Sequence, residues 1–256
     1  MRQLIAFTNK EFVEVWRTSK FIVLTIVFVL FGIMNPAIAK LTPWIMEKYS
    51  DSLKEQGMVV GEVAVDAMSS WMQYYKNIPM GLIVFMLVFS GVLANEFQKG
   101  TLINVITKGL KRSNIIIAKT LVMLCLWTLN YWMCFGITYV YNEYFWDNSV
   151  AKHLFFSAFC MYMFGAWLIS VLIFVSTLVT SSAMVCVGTS GIFFTFYLIS
   201  IVPDFKRFMP TKLLESSGLL TGNLEPKDFV CSLIGISIMS IVLFISGIII
   251  FNKKKV

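Results

Sequence analysis

Six apolar runs constrain this chain more than any other feature. Residues 21–39, 79–95, 115–141, 153–179, 183–202 and 229–251 are each almost free of charge. As helices rising ~1.5 Å per residue, such runs have the length to cross about 30 Å of hydrocarbon. In lipid every backbone donor and acceptor must be paired within the protein, which leaves helices as the form for isolated runs of this length. The composition agrees: 58% of the residues are hydrophobic and 14% are charged, against about 25% charged in a soluble domain. A soluble core cannot hide that much apolar surface. The expected fold is an all-α membrane protein with six transmembrane helices in one domain, residues 1–256.

The net charge of +7 would suit a nucleic-acid partner, but the basic residues flank the apolar runs and form no separate basic domain. They read as topology and headgroup signals, so no nucleic-acid partner is expected. Cys125, Cys134, Cys160, Cys186 and Cys231 lie singly within or beside apolar runs, and His153 has no ligand set around it. No metal site or disulfide follows from that spacing.

Residues 1–20 are too polar to span. At 100° per residue, Leu4, Ile5, Thr8, Phe12, Val15, Trp16 and Ser19 share one arc, with Lys10, Glu14 and Arg17 opposite. That pattern describes an interfacial amphipathic helix, anchored in lipid by Phe12 and Trp16, with Arg17 on the polar side. Pro36 implies a kink or an early stop in the first span. The Ala37-Ile38-Ala39 triplet has the small-residue look of a cleavage site, but the run before it is longer than a signal core. Trp71, Tyr74 and Tyr75 precede the second span and suit an interfacial aromatic belt.

Charge sets the orientation. The N-terminus, residues 96–119, the 180–182 turn and the C-terminus are dense in lysine and arginine. Eleven of the fourteen acidic residues lie in the alternate loops. Both termini are therefore expected in the cytoplasm, with residues 41–78 and 204–228 outside.

No phosphate-binding loop, HExxH or GxSxG occurs, and the spans hold almost no ionisable groups, so no catalytic residue is assigned. Asn130 and Ser170 are the candidates for polar groups at depth. Each can make an interhelical hydrogen bond or touch a substrate on a translocation path.

The segment 96–113 carries most information. Gly100 and Gly109 frame a short helix that Thr101 can cap. Thr101, Asn104, Lys108 and Lys111 share its polar face; Leu102, Val105 and Ile106 share its apolar face. Periodicity alone fits equally a helix docked on a protein partner and one floating on headgroups. Glu96, at the inner end of the second span, needs a partner; Lys99, Arg112 and Lys119 are the nearby cations.

Glu96, Gly100-Thr101-Leu102, Arg112 and Ala118-Lys119 resemble the E-x-x-x-G-T-L…R…G-K stretch of ABC-2 type transporter permeases. Lys108-Gly109 stands where that family often has Pro, and Ala118 replaces its Gly. The layout of spans and loops is similar along essentially the whole chain. The resemblance implies the permease of an exporter, with the 96–113 loop coupling it to an ATP-binding subunit that holds ATP and Mg. This chain itself would bind no cofactor. The coupling residues implied are Glu96, Gly100, Thr101, Leu102, Asn104, Lys108 and Arg112. A second permease copy and membrane lipid would be the other partners, in a bacterial cell membrane. Spans rich in Phe and Met suit hydrophobic or amphipathic cargo, such as a peptide, bacteriocin or drug. A membrane-embedded structural or regulatory protein without transport activity is the alternative.

Overall fold

The computed structural model describes residues 2–48, 65–107 and 109–254; the side chains of Met46, Asn104 and Val105 lie outside that description. Helix α1 (Arg2–Arg17) is followed by α2 (Lys20–Lys48), α3 (Ala67–Phe89), α4 (Ala94–Gln98) and α5 (Thr101–Thr107). Then come α6 (Arg112–Phe145), α7 (Leu154–Leu178), α8 (Ser182–Ile199), α9 (Pro203–Lys206) and α10 (Lys227–Lys253). A 3₁₀ segment, Pro210–Leu219, precedes α10. Among the described residues six helical stretches are long and apolar enough to cross a membrane. The fold is all-α, and the chain is a multi-pass membrane protein.

The spans are not equally embedded in protein. In α7, 67% of the most apolar window is buried, but in α8 and α10 only 11% is. Helix α7 packs on α10, α6, α8 and the 3₁₀ segment, while α2 packs on α3 and α6. Gly165 lets α6 and α7 close: a Cβ there would lie 2.2 Å from Cζ2 of Trp127, a distance no packed pair tolerates. The Trp127 indole donates to the Tyr162 carbonyl at 3.1 Å and joins an aromatic core with Phe28, Phe85 and Tyr131.

Three expectations change. Helix α2 does not stop at Pro36 but continues through Pro36 and Pro43 to Lys48. Proline at 36 has no N–H and so frees the carbonyl of Gly32, four residues back. The Thr138 hydroxyl of α6 donates to that carbonyl at 3.2 Å. Asn35 donates to Thr138 Oγ1 at 3.0 Å, and Asn77 of α3 donates to Asn35 Oδ1 at 2.7 Å. This buried chain ties three helices together and satisfies the carbonyl that Pro36 leaves free.

The second span begins at Ala67, well before residue 79, with Asp66 Oδ1 accepting the Ser69 amide as an N-cap. Trp71, Tyr74 and Tyr75 are therefore not an interfacial belt. They are buried, and Trp71 Nε1 finds its acceptor inside, on Asn148 Oδ1 at 3.0 Å. Beyond these changes, residues 203–228, for which no fold was expected, form a folded cap. Leu213 and Leu219 are buried, the Ser157 hydroxyl donates to the Ser216 carbonyl at 2.6 Å, and the Ser232 hydroxyl donates to the Arg207 carbonyl at 2.7 Å.

Candidate functional site

At the end of the bundle that carries α1, three separate stretches of sequence bring five charged side chains together. Helix α1 breaks from α2 at Ser19, a left-handed residue with φ 57°. The break lets α1 fold back on α6, and Phe7, Glu11 and Val15 form its buried stripe. Lys119, about two turns into α6, is 2% exposed. Its ammonium lies 2.8 Å from Glu11 Oε2 and 3.2 Å from Glu96 Oε1. Lys10 reaches the same Glu96 oxygen at 3.2 Å, Glu11 at 2.9 Å and Glu14 at 2.7 Å.

Two ammoniums thus hold three carboxylates. Oxygens of Glu11, Glu14 and Glu96 all lie within 4.8 Å of one another, close enough to hold a cation, and the Lys10 ammonium is the cation they hold. Partial burial pulls the Lys10 pKa down, but hydrogen bonds to Glu14 and Glu11 outweigh it and leave the pKa above its ordinary value. For Glu14, burial pushes upward and the hydrogen bond from Lys10 wins, holding the carboxyl below its ordinary range. Each charge is stabilised by its neighbours. Glu96 Oε2 is buried with no hydrogen-bond partner, so Glu96 depends on its two lysines through one oxygen.

Glu96 was expected to pair with Lys99, Arg112 or Lys119. Lys119 is the partner, joined by Lys10. Arg112 is occupied elsewhere. Its guanidinium donates to the carbonyls of Phe251 and Asn252 at 3.4 Å and to that of Lys254. It caps the C-terminus of α10, where free carbonyls and the helix dipole favour a cation. Lys254 in turn donates to the Thr177 carbonyl at 2.9 Å at the end of α7. Burial pulls the Lys254 pKa down.

The loop itself is built as the glycines imply. Gly100 at φ 64° separates α4 from α5, and Gly109 at φ 87° closes α5 with its amide on the Ile106 carbonyl. Leu102 is buried, while Thr101 and Ile103 are exposed. Lys108 lies outside the described residues, as does the Asn104 side chain. The loop base grips the turn before α8: Gln98 Nε2 donates to the Thr180 carbonyl at 3.1 Å and the Ser182 hydroxyl to Asn95 Oδ1 at 3.1 Å.

The remaining candidates sit apart from this cluster. Phe12 and Trp16 are exposed on α1, with Trp16 at 63% and stacked on Phe21 at 5.1 Å; Arg17 is exposed. Asn130 and Ser170 do not bridge helices. Asn130 Nδ2 donates to the Leu126 carbonyl at 2.8 Å and Ser170 to the Ala166 carbonyl at 3.1 Å, each within its own helix. Asn130 Oδ1 is buried without a partner.

Compared with known families, residues 5–213 match the model of the ABC-2 family transporter protein. The chain belongs to the ABC-2 transporter family. It is also similar to an uncharacterized transmembrane protein, YxlG, of Bacillus subtilis (strain 168). That match is 22% identical over 252 residues, covering 95% of this chain and 94% of the relative. The shared length means the six-span layout, the loop and the 203–228 cap all fall within the likeness.

Proposed function

We propose that this ABC-2 protein is the permease subunit of an ATP-driven exporter of hydrophobic or amphipathic cargo, such as a peptide, bacteriocin or drug. ATP and Mg are bound by a separate ATP-binding subunit, and a second permease copy completes the pathway. The loop end of the bundle, with both chain ends, faces the cytoplasm of a bacterial cell, as its lysine and arginine density supports.

The observation that carries this reading is the grip of α4 on the turn before α8, through Gln98–Thr180 and Asn95–Ser182. Helix α8 is among the spans least embedded in this chain. A push on the exposed face of α5 is therefore delivered to a span free to move. Glu96, locked to Lys119 and Lys10, makes the loop base rigid enough to transmit the push rather than absorb it. An ATP-binding partner drives the change only if it contacts α5 differently in its two states.

The test is co-purification and coupling with the ATP-binding subunit. Thr101→Ala, Asn104→Trp and Lys108→Ala are expected to weaken the complex or uncouple ATP hydrolysis from export, at normal permease levels. Full ATP-driven export by Asn104→Trp, whose ring suits headgroups but not a close protein groove, would refute docking at α5.

A further inference from the structure

The ion cluster forms one wall of a cavity of about 420 Å³. It is lined by α1, the first residue of α2, the end of α3 and the turn after it, α4, the start of α5 and one face of α6. Its lining holds four lysines, Lys10, Lys20, Lys99 and Lys119, and three glutamates, Glu11, Glu14 and Glu96. Lys10 and Lys119 take all the ion pairs made to those glutamates. Among the described residues, Lys20 and Lys99 pair with no carboxylate. Glu14 is bound to Lys10 through Oε2, and its Oε1 accepts nothing. Glu96 Oε2 is also unpaired but fully buried, so among the described residues the cavity offers two uncommitted ammoniums and, on the part-exposed Glu14, one accessible uncommitted carboxylate oxygen.

Lys20 does not reach outward. Its ammonium lies 5.7 Å from the centroid of the Phe89 ring, and both residues line the cavity. The position is also specific. Lys20 is the first residue of a candidate membrane span, next to the stack of exposed Trp16 on half-buried Phe21. This is the level at which hydrocarbon gives way to headgroups.

A ligand that answers both leftover charges at that depth carries a phosphate and a primary ammonium on one short linker. We propose that the cavity binds the headgroup of an ethanolamine phospholipid, with its phosphate at Lys20 and Lys99 and its ammonium at Glu14. The ammonium matters because it donates N–H bonds to a carboxylate, which a choline group does not. A glycerol headgroup brings the phosphate but sets no cation against Glu14. The proposal stands apart from the transport reading, because it concerns this chain alone and needs no ATP-binding partner.

The full-length chain, purified in detergent, is titrated with phosphatidylethanolamine, phosphatidylcholine or phosphatidylglycerol of identical acyl chains, and retained lipid is counted by native mass spectrometry. Phosphatidylethanolamine is expected to be retained about tenfold over each of the others, the worth of one charge-assisted hydrogen bond. Lys20→Ala and Glu14→Gln should each cut that retention about tenfold, and Lys20→Arg should preserve it. Gel filtration checks folding, and Glu14→Gln at a part-exposed position carries the test if Lys20→Ala misfolds. Equal retention of the three lipids would overturn the proposal. So would a preference for phosphatidylglycerol, which would make the site a basic patch for anionic lipid. Displacement by free phosphoethanolamine at equal concentration would overturn it in favour of a soluble ligand.

Discussion

Removing Lys119 is the sharpest perturbation of the loop base. Its ammonium is 2% exposed and sits between Glu11 at 2.8 Å and Glu96 at 3.2 Å. Lys119→Met keeps the length of the side chain and deletes the charge. Breaking a buried ion pair from one side costs about 3–5 kcal/mol, because the partner charge stays behind. Here the cost falls at the lower end, about 3 kcal/mol, since Lys10 still reaches both Glu11 and Glu96. For a chain of this size that corresponds to a drop of roughly 6–12 °C in melting temperature. Glu96→Gln removes one charge while Lys119 keeps Glu11, so its cost is smaller, about 1 kcal/mol. The triple variant Lys119→Met, Glu11→Gln, Glu96→Gln leaves no stranded charge and should recover most of the loss. The assay is thermal melting of the detergent-solubilised chain, followed by tryptophan fluorescence. If Lys119→Met melts with the wild type, or the triple variant is worse than the single, the cluster is not the buried ion network described.

Three further outcomes follow from other contacts. Arg112→Ala should lower the melting temperature through loss of the α10 cap, about 1–2 kcal/mol; unchanged stability with loss of the ATP-binding subunit would place Arg112 on the docking face instead. Gly165→Ala should destabilise by about 1–3 kcal/mol through overpacking on Trp127, and Gly165→Ala with Trp127→Phe should recover part of that; normal melting of the single variant would refute the close approach of α6 and α7. The docking of α1 should hold across a broad pH range, tracked by proteolysis at Arg17 or by a probe on α1. The Glu14 pKa is lowered from 4.5, so its contribution is present above 4.5 and is lost as pH falls through the folded value. The Lys10 pKa is raised from 10.5, so its contribution is present below 10.5 and is lost only as pH rises through the higher folded value. Release of α1 near neutral pH would contradict both.

The spans were legible because lipid imposes a simple demand, length without charge, and each apolar run became a helix. Their ends were not, and the reason is specific. Residues 67–78 contain Ser70, Gln73, Lys76 and Asn77 among aromatics, and hydropathy reads them as a loop. They are helical because α3 faces protein there, where Trp71 finds Asn148 and Asn77 finds Asn35. Hydropathy measures the fit to lipid and is blind to polar groups that the bundle satisfies. Pro36 misleads in the same way. Its effect on α2 depends on Thr138, a residue of another helix, so no reading of the first span by itself could foresee an unbroken helix.

The site divides along the same line. Glu96 was visible, because a carboxylate at the end of a span must find a cation, and Lys119 stood among the cations of its own segment. Glu11 was not, since the apolar arc of α1 drew attention to the face that Phe12 and Trp16 leave exposed. The second stripe, Phe7, Glu11 and Val15 at four-residue spacing, is only two-thirds apolar and carries its meaning in the charge. An interfacial helix that faces lipid on one side and protein on the other shows two overlapping stripes, and hydrophobicity picks out the one turned to lipid. The buried carboxylate in the weaker stripe acquires its role from Lys119, 108 positions along the chain. With Lys119 in place, α1, α6 and the loop base share one ion network, and the hydrogen bonds of Gln98 and Asn95 tie the start of α8 to it.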